Sequence, residues 1–324
     1  MRNTNIIALT VIATMPTCLL AENTTNSKQE NNPEMKAAIS ILSQSIPKIK
    51  TFSATCKLEQ SEDKKKWTPT GVMQIAWDCE SNNYAFTSTR LPYMSADHLR
   101  VDKYYASEGK LTHIFFKAKA SGEIKIDAEP IESGAAEIKP NPTVPPFQCV
   151  LQHLRLLNGT SLLDAIQDPN WKPSAKINKQ GKEPKILVTL GMQNYSINAK
   201  TGTVESMSIT VPSSKDNEEI LNTTFEHYKS FSKTTFPTIM LTTTHIKEPK
   251  KDIFCKITFD TNSIKIDEPL HPTSFSSTIP MGYSVSDDIR GVRYLATGIN
   301  EAKTEEIASK KLDELILDAK KQAE

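Results

Sequence analysis

The chain lacks a long hydrophobic run. Its most continuous apolar stretch, Ile6 to Met15, is about ten residues, against the roughly 20 that a bilayer-crossing helix requires. A permanent transmembrane anchor is therefore not expected. Net charge is also lacking: 39 basic residues stand against 38 acidic, and without Arg2 the two signs balance. Such a protein has no global field to draw in nucleic acid or anionic lipid. The only notable basic run, Lys64-Lys65-Lys66, follows Glu62 and Asp63, so no basic face emerges and nucleic acid is not an expected partner. Close cysteine pairs are missing too. Cys18, Cys56, Cys79, Cys149 and Cys255 are spaced too widely for a CxxC redox or zinc site. GxSxG, HExxH, Walker A and GxGxxG motifs do not occur. Composition and motifs thus supply no catalytic residue, cofactor or metal, and a non-enzymatic protein is expected.

What is present begins at the N-terminus. Residues 1–21, MRNTNIIALTVIATMPTCLLA, place one positive charge, a short apolar run, Pro16 and a small residue in the order of a secretory signal peptide. Cys18 sits where a bacterial lipoprotein carries its acylated cysteine, but Met15, Pro16 and Thr17 before it do not resemble a lipoprotein signal. Cleavage near Ala21, giving a soluble periplasmic or secreted protein, is expected in preference to lipidation at Cys18. Four cysteines then remain in an oxidising compartment, which permits two disulfides in any of three pairings.

Residues 22–33 are polar and read as a flexible leader. Pro33 suits a helix start, and Met35, Ile39, Leu42 and Ile46 recur at helical spacing until Pro47. Two alternating strands follow, one through Phe52, Ala54, Cys56 and Leu58 and the other through Met73, Ile75, Trp77 and Cys79, with a polar hairpin loop between them. If residue numbers across this hairpin sum to about 135, Cys56 faces Cys79 and a bridge is geometrically allowed. Buried free thiols, or bridges to Cys149 and Cys255, are the other readings.

Further strands are expected at 84–89, 100–106 and 111–117. Pro130, Pro140, Pro142, Pro145 and Pro146 then predict a long irregular connection over 129–146, followed by short helices at 147–157 and 161–166. A second set of strands is expected at 185–190, 194–198, 204–211, 220–228, 238–246 and 253–260. With no helices between them, these strands call for antiparallel meander pairing. A charged helix closes the chain at 301–324, with an apolar stripe of Ala308, Leu312, Leu315, Ile316 and Ala319.

The histidines offer little. His98, next to Asp97, has no nearby nucleophile or metal-ligand spacing. His113, His153 and His271 are scattered, and His227 and His245 fall on adjacent strands as cross-strand neighbours without a third ligand. Asp287-Asp288 near Arg290 reads as a turn cap or salt bridge.

The order of parts resembles the bacterial periplasmic lipoprotein-carrier (LolA/LolB-like) family. The similarity rests on an export signal, an amphipathic helix, a hairpin entered through TFSATCKLEQ and a long antiparallel run. A tail follows in which FPTIMLTTTHI precedes IKIDEPLHPTSFSSTIPMGYSVSDDIRG and VRYLATG. The chain departs from the family in its length, its Pro-rich helical insertion at 129–170 and its C-terminal helix. The resemblance implies a mainly β (α+β) fold, a curved antiparallel sheet or incomplete β-barrel covered by helices, spanning a domain at 34–300. It also implies an apolar hollow for a lipid or an acylated, lipoprotein-like ligand, with Phe52, Leu58, Met73, Ile75 and Trp77 expected to face it. The alternatives are an envelope interaction module with a filled core and a protein partner, and an exported hydrolase with a non-local site, which a cleft uniting His98, His113 or Asp97 would favour.

Overall fold

The computed structural model describes residues 33–297 apart from 47, 93–97, 121–122, 157–158, 180–182, 213–217, 233 and 247–250. The expected signal segment, the leader before Pro33, Asp97 and the C-terminal helix lie outside the described residues. The first described element is helix α1 (Pro33–Ser45), with its proline at the first position, where the missing N–H breaks no helical bond. It buries Met35, Ala38 and Leu42. Ile39 and Ile46 are only partly buried, so the inward stripe is rotated slightly from the expected one.

Two meanders follow. The first runs through β1 (Thr51–Ser61), β2 (Thr68–Asp78), β3 (Asn83–Arg90), β4 (His98–Ser107), β5 (Lys110–Lys119) and β6 (Ala135–Pro140). The second runs through β7 (Ser174–Asn178), β8 (Lys185–Leu190), β9 (Gln193–Asn198), β10 (Val204–Pro212), β11 (Glu218–Phe231), β12 (Thr234–Ile246) and β13 (Lys251–Phe259). β1 joins them by pairing with β13, where Leu58 lies opposite Ile257. Three short strands complete the sheet: β14 (Lys265–Ile266), β15 (Ser284–Asp287) and β16 (Val292–Leu295). The main path runs from β16 through β15, β6, β5, β4, β3, β2, β1, β13, β12, β11, β10, β9 and β8 to β7, with β14 beside β1. Pairing is antiparallel except between β15 and β6. The fold is a mostly antiparallel sheet with two short flanking helices. Its outermost strands, β16 and β7, do not pair with each other, so it is an open sheet and not a barrel.

Both faces of the sheet are used, at different places. The registers put Trp77 opposite Tyr84, Tyr84 opposite Ala106 and Ala106 opposite Leu111, all in the large core on the helix-covered face. Val101 and Phe116, paired on the opposite face, belong to a second core that includes Ile114, Ile138, Tyr283 and Val285. The tail folds back to build this second core, with Tyr283 packing edge-on against Phe116 at 6.4 Å between centroids.

The insertion between the meanders departs from expectation twice. The 129–146 stretch is not all irregular: 131–139 contains no proline, and β6 (Ala135–Pro140) forms there and ends on Pro140. The helix expected at 147–157 is only a 3-10 turn, Gln148–Leu151, followed by further turns. Phe147, Val150, Leu151 and Leu156 are all buried, and this all-round burial overrides helical propensity. The second helix, α2 (Leu162–Gln167), is capped by Ser161, whose hydroxyl oxygen accepts the Asp164 amide at 3.0 Å. β7 was not foreseen, since SAKIN offers too short an alternation.

The hairpin register separates Cys56 from Cys79. Cys56 lies opposite Met73, whereas Cys79 lies just beyond β2, its amide donating to the Lys50 carbonyl at 2.7 Å. Paired numbers in this part of the hairpin sum to 129, as Cys56 and Met73 do. Cys56, Cys79, Cys149 and Cys255 are free thiols, so the bridge contemplated between Cys56 and Cys79 is not formed.

Candidate functional site

The covered face is closed by α1, α2 and the turn-rich chain between β6 and α2. Phe147 is the wedge of this cover. Its ring lies 5.6 Å from Trp77, 5.4 Å from Tyr84 and 5.6 Å from Phe86. The Arg155 guanidinium lies 4.6 Å from the Trp77 ring centroid and forms a second contact from cover to sheet. Phe52, Leu58, Met73, Ile75 and Trp77 share this face and the large core, all at most 7% exposed. They are packed together and under the cover, and none of them lines the pocket described next.

That pocket, about 360 Å³, opens between the C-terminal end of α1, the cover at His153 and Leu154, the β9–β10 turn, β11 and β12. Ser45, at the end of α1, donates its hydroxyl to the Gly202 carbonyl at 3.1 Å and to the Ile41 carbonyl at 2.7 Å. Gly202 has φ +70, a left-handed conformation that suits glycine, and an added Cβ would collide with Ser45. On the far wall the Tyr228 hydroxyl donates to the Val204 carbonyl at 2.5 Å.

His153 lines the pocket and is 2% exposed. Phe236 packs edge-on against its ring at 4.8 Å and Phe225 lies at 5.6 Å. Neither ring nitrogen has a hydrogen-bond partner among the described residues. Burial lowers its pKa from 6.5 to about 3, so the imidazole is neutral at ordinary pH. Phe236 in turn packs on Phe52 at 5.3 Å, linking the pocket wall to the core beneath β1. His153 was not singled out from the sequence. Its only signal is a lone histidine in QCVLQHLRLL, where Cys149, Val150, Leu151, Leu154, Leu156 and Leu157 surround it.

A polar cluster continues the covered face beyond the aromatic residues. Asp102 is 1% exposed and sits at its centre. Arg100 grips it through Nε at 2.9 Å and Nη2 at 2.9 Å, and His113 Nε2 lies at 3.0 Å. Burial alone would raise the Asp102 pKa, but these partners outweigh it and hold the carboxyl below the usual range. His113 Nδ1 faces Glu137 at 3.5 Å, and the ring stacks on Tyr104 at 4.1 Å. Both imidazole nitrogens therefore face carboxylates, an arrangement that braces the sheet and leaves neither free to act as a base. His227 and His245 are not cross-strand neighbours: His245 pairs with Ile220, and the His227 carbonyl accepts from the Thr238 hydroxyl at 2.9 Å. Asp287 is a turn cap, accepting the Ile289 and Arg290 amides at 3.0 Å each. Among the described residues no group of three or more His, Cys, Asp or Glu side chains could hold a metal ion, and no helix is long and apolar enough to cross a membrane.

No family model and no curated protein matches the chain. Solved structures do. A Vibrio parahaemolyticus domain described as an outer membrane lipoprotein-sorting protein matches at TM-score 0.42 and 10% identity, over 75% of this chain and 96% of its own. A LolA superfamily protein from Nitrosomonas europaea matches at TM-score 0.40 and 7% identity, over 76% and 99%. A DUF1329 family protein from Desulfovibrio piger matches at TM-score 0.43 and 9% identity, over 76% and 98%.

Proposed function

We propose that the protein is an exported, non-enzymatic binding protein that takes a lipid or acylated ligand between its sheet and its helical cover. The supporting observation is a set of unmatched polar groups at that interface. Trp77 Nε1, the Tyr84 hydroxyl, both amide atoms of Gln148 and both nitrogens of His153 are buried without partners among the described residues. Each such group costs about 1–3 kcal/mol, so the cover lies on the sheet less favourably than an apolar lid would. Lifting it would bare Phe52, Leu58, Met73, Ile75 and Trp77, the residues proposed to contact the ligand. An acyl chain laid on them would gain roughly 0.8 kcal/mol per methylene. Native mass spectrometry of gently purified protein is expected to show co-purified lipid. A protein that arrives without ligand and does not bind a fluorescent fatty acid would rule the reading out.

A second reading, an envelope interaction module with a filled core, is favoured by the tail. Met281 is 77% and Leu295 68% exposed, and Ile289 and Val292 beside them are also exposed, on or next to the outermost hairpin β15–β16. A stable protein partner lost on Leu295→Lys, with no lipid recovered, would select this reading.

A further inference from the structure

One register row crosses five strands of the first meander. Leu58 lies opposite Gly71, Gly71 opposite Arg90, Arg90 opposite Arg100 and Arg100 opposite Lys117, so three cations stand side by side on β3, β4 and β5. Directly opposed residues have Cα atoms only about 4.5–5.5 Å apart, and like charges there are destabilising. Alternation along β4 puts Arg100 on the same face as Asp102 and Tyr104, beyond the aromatic residues under the cover.

The carboxylates in contact with this cluster do not cancel it. Asp102 faces both arginines, at 2.9 Å from Arg100 and 3.6 Å from Arg90, while Glu132 meets Lys117 at 3.1 Å and Glu137 meets Lys139 at 3.3 Å. His113 apart, four cations stand against three carboxylates, a surplus of one positive charge. The Arg90 and Arg100 side chains are 42% and 48% exposed, so this surplus is open to solvent.

The two heads are also held in place. Arg100 donates from Nε and Nη2 to the buried Asp102 carboxylate, and its guanidinium lies 5.8 Å from the Phe115 ring centroid. A Cβ on Gly71 would meet Leu58 Cδ1 at 3.2 Å and Arg90 Cβ at 3.3 Å, so glycine there lets the Arg90 stem lie against Leu58. Asp102 occupies one edge of Arg100 and leaves Nη1 over, and its 3.6 Å contact with Arg90 is too long for a hydrogen bond. Donors are thus offered by two guanidinium groups on adjacent strands. The two oxygens of a carboxylate match a single fork, whereas an acceptor with more oxygens can meet both.

We propose that Arg90 and Arg100 form a binding site for a singly charged tetrahedral oxyanion, with Lys117 adding to the field at its edge. Asp102 is a positioning residue that fixes Arg100 and limits the surplus to one charge. Two sources share this chemistry, a phosphate diester and a sulfate monoester. The site goes beyond the acyl-binding reading and does not depend on it.

Dimethyl phosphate, methyl sulfate and acetate, titrated into the full chain at low salt, test it. Dimethyl phosphate or methyl sulfate is expected to shift the Nε–H resonances of Arg90 and Arg100, and added sodium chloride to weaken the binding. Arg90→Gln should weaken it about tenfold, through lost hydrogen bonding to a charged group. Lys50→Gln removes the same charge from an exposed position outside the row and should bind as the parent does. Tighter dimethyl phosphate points to a phosphate diester, and tighter methyl sulfate to a sulfate ester. Acetate bound as tightly as either, equal losses in Arg90→Gln and Lys50→Gln, or unmoved Arg90 and Arg100 resonances would overturn the assignment. The resonance measurement uses the parent chain, so it decides the matter even if Arg90→Gln folds poorly. Oxyanion binding without any binding of a fluorescent fatty acid removes the acyl reading and leaves this site standing. The reverse result removes this site alone.

Discussion

Ser45 donates its hydroxyl to the carbonyl of Gly202, 157 residues further along the chain, and so fastens the end of α1 to the β9–β10 turn. Gly202→Ala would place a Cβ against Ser45 in a left-handed backbone conformation. A destabilisation of about 2–3 kcal/mol is expected from backbone strain and overpacking together. Faster amide exchange in α1 than in β1 should accompany it. A Gly202→Ala protein that melts with the parent and protects α1 equally would show that this fastening does not hold the cover.

His153 should make stability depend on pH. Its pKa is near 3 when folded and 6.5 when free, so between these values the unfolded chain binds a proton that the folded chain does not. Its neutral form therefore favours folding fully above about pH 6.5, and the contribution is lost as pH falls towards 3, up to about 5 kcal/mol in all. Replacing His153 by phenylalanine should flatten the melting temperature against pH across this window. An unchanged slope would mean that the imidazole is hydrated in solution.

Asp102→Asn removes the charge that Arg100 and His113 both address. About 2–3 kcal/mol of destabilisation is expected at neutral pH, somewhat below the usual cost of breaking a buried pair because Arg100 is half exposed. The lowered pKa of Asp102 means that its contribution is present above the usual carboxylate range and fades as pH falls through the folded value. Parent and variant should therefore converge in acid. A constant difference across pH would assign the effect to packing.

The thiols should be inert in the folded protein. Burial pushes Cys149 up to about 11 and Cys79 up to about 12, and drives Cys56 higher still. An aromatic disulfide reagent at mild alkaline pH should label Cys56, Cys79, Cys149 and Cys255 only after denaturant is added. Rapid labelling of the native protein, or missing thiols after denaturation, would contradict four unbridged cysteines, two buried and two partly buried.

The strands were legible because one face of each is buried and the chain alternates accordingly: Phe52, Ala54, Cys56 and Leu58 point inward in β1 as their spacing predicts. The insertion was less so. The 3-10 turn at Gln148–Leu151 leaves no period to read, and β6, with only Ala136 and Ile138 buried in alternation, is short and flanked by prolines that predict a loop. The pocket was illegible for a different reason. Its walls come from α1, the cover, the β9–β10 turn, β11 and β12, and only the tertiary fold brings Ile41, His153 and Gly202 together. The hairpin register was also out of reach, because a shift of six in the paired sum moves Cys79 away from Cys56 without disturbing which face either strand buries.

The pairing of β1 with β13 has a consequence for how the chain is made. Cys56 waits for Phe259, roughly two-thirds of the protein later, before the central seam can form. Until then β1 is an unprotected strand edge, and this distant pairing forms later than the local hairpins of the two meanders. The seam that completes the sheet is therefore among the last contacts that synthesis of the chain makes available.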